Sequence, residues 1–218
     1  MLLQRFIKNS RTAVSVLAML AVAGCAGGGA AKAPRPAAQQ AEAVAGESVT
    51  PEIPPQVQTL YEQAVASMAA GDFVDAELRF KEFLLQYPGY PGVYVNLAII
   101  HANNENYEAA RSALDAALAL NPNHPAALNQ SGMLLRKNGN FLEAEAAYLK
   151  AVTVNPDYAL AHYNLGVLNE LYLQRLDVAL QHFEAYQTLV GEDKQVEKWI
   201  ADLRRRVAAS QRTANVAD

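Results

Sequence analysis

Residues Leu120–Pro156 read LNPNHPAALNQSGMLLRKNGNFLEAEAAYLKAVTVNP, and the features of this stretch recur along the chain. Its bounding prolines belong to a series. Gln86-Tyr87-Pro88, Leu120-Asn121-Pro122 and Val154-Asn155-Pro156 each close a segment, and consecutive prolines stand 34 residues apart. Small residues recur at the same period at Ala64, Ala98, Gly132 and Gly166. Ala76, Ala110 and Ala144 follow the first three by twelve residues, and Phe80, Leu114 and Tyr148 lie four further on. A fixed period of this size marks a chain built from stacked units, each too small to bury its own apolar face.

Inside a unit the apolar residues keep helical spacing. Tyr94, Leu97, Ala98 and His101, and then Leu128, Ser131, Gly132 and Leu135, fall at i, i+3, i+4 and i+7. Small residues where two helices cross let the axes approach, and Phe80, Leu114, Tyr148 and Phe183 fill the space beside them. Pro88, Pro91, Pro122, Pro125 and Pro156 all fall between units, where a missing N–H breaks no helix. Gly71 and Asn138-Gly139 mark turns inside the first and third units.

A 34-residue unit with this small–small–large pattern resembles the tetratricopeptide repeat, a pair of antiparallel helices, over roughly Val57 to Val190. The resemblance implies an all-α fold: a right-handed α-solenoid of four helix pairs at 57–90, 91–124, 125–158 and 159–191, within an array spanning 56–190. The fourth unit departs from the rule. Ala179 follows Gly166 by thirteen residues, which places a one-residue insertion in the turn near Tyr172–Arg175, where a loop would absorb it. Tyr186 stands where a small residue is expected. After Gly191 an amphipathic helix from about Asp193 to Ala209 carries Val196, Trp199, Ile200, Leu203 and Val207 on one face. It suits the polar-backed cap that an open solenoid end requires, within 192–210, and 211–218 is expected to be a disordered tail.

Composition agrees and narrows the function. Of 218 residues, 51% are apolar and only 8% aromatic, which favours close-packed helices over a sandwich of strands. There are 18 Lys and Arg against 22 Asp and Glu, so no basic excess exists to neutralise the phosphates of a nucleic acid. A single cysteine excludes an internal disulfide framework and a Cys-rich zinc site. His101, His124, His162 and His182 lack metal-ligand spacing, and His101 and His162 fall on faces expected to pack. No nucleophile elbow, phosphate-cradling glycine loop or HExxH is present, so neither catalysis, metal nor cofactor is expected. The run Arg204-Arg205-Arg206 reads as the solvated face of the cap.

In tetratricopeptide arrays the first helix of each unit lines a concave groove, and the resemblance carries a candidate site onto this chain. Counting from Val57, Pro91, Pro125 and Ala159, the sixth residues are Glu62, Asn96, Gln130 and Asn164, and the ninth are Val65, Ile99, Met133 and Val167. Asn and Gln offer both a donor and an acceptor, so a ladder of them can pair with the backbone of an extended guest. The ninth residues either bury alternate guest side chains or pack between neighbouring first helices. Tyr61, Asn129, Arg136 and Tyr163 are expected to border the same groove.

The N-terminus sets the expected location. Arg5, Lys8 and Arg11 precede an apolar run from Thr12 to Ala23, about a dozen residues where a permanent span needs about 20. The run ends Val22-Ala23-Gly24-Cys25, which resembles the lipobox of bacterial lipoproteins. The resemblance implies a signal peptide at 1–24 and acylation of Cys25, and Ala26 resembles the residue that sorts such proteins to the outer membrane. Loss of the three basic residues and no acid would leave 15 basic against 22 acidic residues, so acyl chains rather than charge must hold the body to an anionic surface. Residues 25–55 are Gly, Ala, Pro and Gln with scattered charge and no aromatic, a composition expected to form a disordered tether.

Anchor and repeats together resemble pilotin-type lipoproteins that help pilus secretins assemble, and lipoproteins that dock peptidoglycan hydrolases. The expectation is an outer-membrane lipoprotein, lipid-anchored on the periplasmic face, that scaffolds other envelope proteins through its groove. The alternative is a fixed accessory subunit of an energy-coupled transport or motility complex.

Overall fold

The structure is a computed structural model and describes residues 54–217. The stretch expected to be a signal peptide, Cys25 and the expected tether up to residue 53 lie outside the described residues. Every regular element among the described residues is helical. Four antiparallel pairs follow one another: α1 (Pro55–Ala69) with α2 (Phe73–Gln86), α3 (Pro91–Asn103) with α4 (Tyr107–Leu120), α5 (Pro125–Lys137) with α6 (Phe141–Val154), and α7 (Ala159–Leu168) with α8 (Leu176–Val190). A last helix, α9 (Lys194–Ala217), packs on α8. The chain is an α-solenoid in which each second helix also touches the first helix of the next pair.

Local chemistry starts and stops these helices. Proline occupies the first turn of α1, α3 and α5, where its fixed φ fits and its missing N–H is not needed. The side chains of Asp72 and Asn106 accept from the N–H of Asp75 at 3.0 Å and of Ala109 at 3.2 Å, capping α2 and α4. The buried His124 caps α5 in the same way, its Nδ1 accepting from Ala127 N–H at 3.2 Å, and burial pushes its pKa down, keeping the imidazole neutral.

The turn inside each pair is the same device at the same register. Gly71, Glu105 and Gly139, each 34 residues after the last, all have φ between 60° and 84°. After each, a backbone bond reaches back five residues, from Asp72 to Ser67, Asn106 to His101 and Asn140 to Leu135, at 2.8 to 2.9 Å. In the fourth pair the positive φ falls on Gln174 and the closing bond runs six residues back, from Arg175 N to Asn169 O at 2.9 Å. The inserted residue is therefore taken up by a π-helical turn at Asn169–Leu173, where the sequence suggested a loop near Tyr172–Arg175. Asn169 holds that turn from within, fully buried, with Nδ2 donating to Leu165 O at 3.0 Å.

Each core is a small residue opposite a large one. An added Cβ on Gly132 would lie 2.5 Å from the Tyr148 ring, and one on Gly166 would lie 2.7 Å from that of Phe183. Ala98 and Leu114 share the core of the second pair, and Ala64 and Phe80 that of the first. Helix α9 buries Val196, Ile200 and Leu203, with Trp199 and Val207 half-buried. It continues to Ala217, through most of the stretch expected to be a disordered tail. No glycine or proline follows Gly191, so the Ala-, Arg- and Gln-rich end meets no stop. Arg204, Arg205 and Arg206 pair with Glu184 at 2.7 Å, Asp202 at 2.9 Å and Glu170 at 2.8 Å, so that basic run is matched by acids of the same body.

Candidate peptide-binding groove

The first helices of successive pairs lie side by side, α3 against α5 and α5 against α7. Charge is distributed unevenly between the two layers. Helices α3 and α7 contain no Asp, Glu, Lys or Arg, whereas α2, α4, α6 and α8 all carry acids. Of the other first helices, α1 carries Glu62 and α5 carries Arg136 and Lys137.

The candidate residues divide by exposure. Glu62 is exposed, and Tyr61, Val65, Ile99, Gln130, Met133 and Arg136 are half-buried. Asn96 (1% exposed), Asn129 (0%), Asn164 (0%), Tyr163 and Val167 are buried. A guest on the surface does not reach these five, and the expected ladder toward a guest backbone is directed elsewhere. Asn164 Nδ2 donates to Asn129 Oδ1 at 2.9 Å, Asn96 Nδ2 to Tyr61 Oη at 3.5 Å, and Asn129 Nδ2 makes a weak 4.0 Å contact with Met133 Sδ. In each of the first two bonds the sixth residue of one unit meets the fifth residue of the unit before it. A buried amide needs a partner, and here the partner comes from the neighbouring repeat. The amides fasten units one to two and three to four. At the junction of units two and three the same register pairs Gln130 with Val95, and no amide tie can form.

Of the two roles left open by the sequence for the ninth residues, the structure shows the packing one. Val65, Ile99 and Met133 each pack on the core of their own region and remain partly open, so they form an interrupted apolar row across three first helices. Val167 closes the row as core. Tyr163 is covered because rings converge on it: Tyr186 at 5.3 Å, Phe183 at 6.0 Å and, from α9, Trp199 at 6.1 Å. Burial pushes the Tyr163 phenol up to about 12, with the nearby Arg136 cation pulling the other way. Tyr186, the large residue where a small one was expected, completes this cluster and donates from Oη to Asp193 Oδ2 at 3.3 Å, at the start of α9. Arg136 is near enough to Tyr148 and Tyr163 to act on both phenols.

The open surface can therefore offer apolar contact from Val65, Ile99 and Met133, hydrogen bonds from Tyr61 and Gln130, and opposite charges from Glu62 and Arg136. One arrangement escaped the sequence. His162 and His182, twenty residues apart, meet with their Nδ1 atoms 3.1 Å from one another. Among the described residues no three His, Cys, Asp or Glu side chains converge as a metal centre, and no helix is long and apolar enough to cross a membrane.

Comparisons with known proteins agree with the fold. Two models described as tetratricopeptide repeat match residues 67–130 and 129–194. A structure from the functional characterization of Pseudomonas aeruginosa PilF is 22% identical with a TM-score of 0.62, over 71% of this chain and 72% of that one. A thermophilic TPR protein of Thermus thermophilus is 24% identical with a TM-score of 0.59, over 69% and 82%. MamA of Desulfovibrio magneticus RS-1 is 21% identical with a TM-score of 0.57, over 75% and 92%. No curated protein matches the sequence. The 34-residue period, the shared small-against-large core and the two matching models make one conclusion: this chain belongs to the tetratricopeptide-repeat family.

Proposed function

We propose that this protein is a lipid-anchored scaffold that holds other proteins of a bacterial envelope along its first-helix face. The observation that carries the reading is the partly open row Val65, Ile99 and Met133, flanked by Tyr61, Glu62, Gln130 and Arg136 on helices otherwise poor in charge. Such a row offers alternate pockets to an extended segment and polar groups for its backbone. The leader and Cys25 support attachment through acyl chains to the periplasmic face of the outer membrane. Assembly of a pilus secretin and recruitment of peptidoglycan hydrolases are the envelope tasks that suit an anchored scaffold.

In-cell photo-crosslinking from Ile99 and Met133 tests the groove. The expected result is a discrete trapped protein, lost on Ile99→Asp with helical content unchanged; trapping that is indifferent to this substitution refutes the assignment. Asn96 and Asn164 are unsuitable probes, because their replacement disturbs the body before it disturbs a guest. Fatty-acid labelling that persists in Cys25→Ala removes the anchor from the reading.

A second reading rests on α2. Val74, Leu78 and Leu85 stand 72%, 64% and 86% exposed on this outer helix, a surface that suits permanent packing in a larger complex. A fixed subunit would co-purify stoichiometrically from detergent and dissociate on Leu78→Glu, whereas a groove-held guest would remain.

A further inference from the structure

His162 lies on α7 and His182 on α8 of the same pair. Their Nδ1 atoms face each other at 3.1 Å, with ring centroids 5.3 Å apart and planes inclined at 46°. The second nitrogen of His162 lies 3.0 Å from the carbonyl oxygen of Pro156. A carbonyl only accepts, so His162 Nε2 carries the proton and donates, and Nδ1 keeps its lone pair. It follows that His182 Nδ1 carries a proton and donates to His162 Nδ1.

We propose that this imidazole pair is a binding site for a borderline divalent transition metal of the zinc, copper and nickel class. Two features support it. Metal–imidazole bonds are about 2.0–2.1 Å long, and two of them spanning the observed separation enclose roughly 95–100°. That angle lies between the right angle of square-planar or octahedral sites and the tetrahedral angle. Donation of the outer nitrogen to a backbone carbonyl is also the arrangement that orients a ligating histidine and fixes its tautomer. His162 already has it.

Binding exchanges one N–H bond for another. The proton on His182 Nδ1 passes to Nε2, the two rings turn so that their Nδ1 lone pairs converge, and no net charge is gained or lost by the protein. The carboxylate acting on His182 is Glu145 of α6, held by Arg175 at 2.8 and 3.0 Å, and its charge favours a cation there. No third ligating side chain joins the pair among the described residues. The metal would therefore keep open positions for water or a partner's side chain. Neutral nitrogen donors disfavour calcium and magnesium.

The test is titration calorimetry of the full, tag-free chain in detergent micelles with zinc chloride and copper(II) chloride, and with calcium chloride as the contrasting ion. One equivalent of zinc or copper is expected to bind, about ten-fold or more weaker in His162→Gln and in His182→Gln, with no calcium heat. Copper(II) electron paramagnetic resonance should show coupling to two nitrogens and lose one of them in either variant. Absence of zinc and copper binding, or binding equal in both variants and the unmodified chain, overturns the proposal. If His182→Gln alters the far-UV circular dichroism, His162→Gln alone decides. The outcome is independent of whether the groove holds a guest.

Discussion

Replacing Gly132 by alanine isolates the contact that sets the spacing of the third helix pair. In an ordinary helix interior this change stabilises by about 1 kcal/mol, because glycine is the poorer helix former. Here the new methyl would sit 2.5, 2.7 and 2.9 Å from three ring carbons of Tyr148. That ring is fully buried, packed on α5 and α7 residues, and has no exit to solvent. Overpacking a closed core costs roughly 1–3 kcal/mol, and a rigid ring with three sub-contact distances belongs at the upper end. The net expectation is a loss of about 2 kcal/mol, or about 4–8 °C in Tm for a body of this size. The second pair supplies the control, since Ala98 and Leu114 share a core there. Tyr148→Leu, which copies that combination, should make Gly132→Ala nearly harmless. Thermal and urea unfolding of both single variants and the double variant, followed by circular dichroism, gives the coupling directly. A stabilised Gly132→Ala, or a coupling below about 0.5 kcal/mol, refutes the claim that glycine is required by the ring.

Three further expectations follow from other parts of the body. Asn164→Ala leaves Asn129 Oδ1 buried without its donor and should cost about 1–3 kcal/mol in urea unfolding, whereas Leu at both positions should recover most of the loss. Glu105 holds φ 60° without being glycine, so Glu105→Gly should raise the unfolding free energy from urea titration, by about 1 kcal/mol at most, and Gly139→Ala should lower it by a similar amount. With chelator present, stability should fall as pH drops from 6.5 toward about 4, because the unfolded chain takes up a proton that folded His182 refuses. Thermal melts across that interval should flatten in His182→Gln; an unchanged slope would show that other groups carry the acid sensitivity.

Helices, their pairing and their number were legible in the sequence because they depend on local and periodic features. Proline positions, the spacing of Ala64, Ala98, Gly132 and Gly166, and the large residues sixteen or seventeen positions later act within a single pair. The turns were half legible. Gly71 and Gly139 announced theirs, while Glu105 and Gln174 adopt the same backbone with no residue that favours it, since closure of the helix pair imposes the conformation. The candidate groove was legible as a surface and not in its detail. One residue on a helix is a rotation of about 100°, so the side of a first helix facing its neighbour cannot be told from the side facing a guest until the units are stacked. Stacking decided that Asn129 and Asn164 bind each other, that Trp199 of α9 covers Tyr163, and that Val65, Ile99 and Met133 stay partly open. It also brought His162 to His182, and it stored the inserted residue in a π turn around Asn169. Periodic burial is written in residue order, but contacts between units depend on the rotation of one helix pair against the next, a property of the packed array.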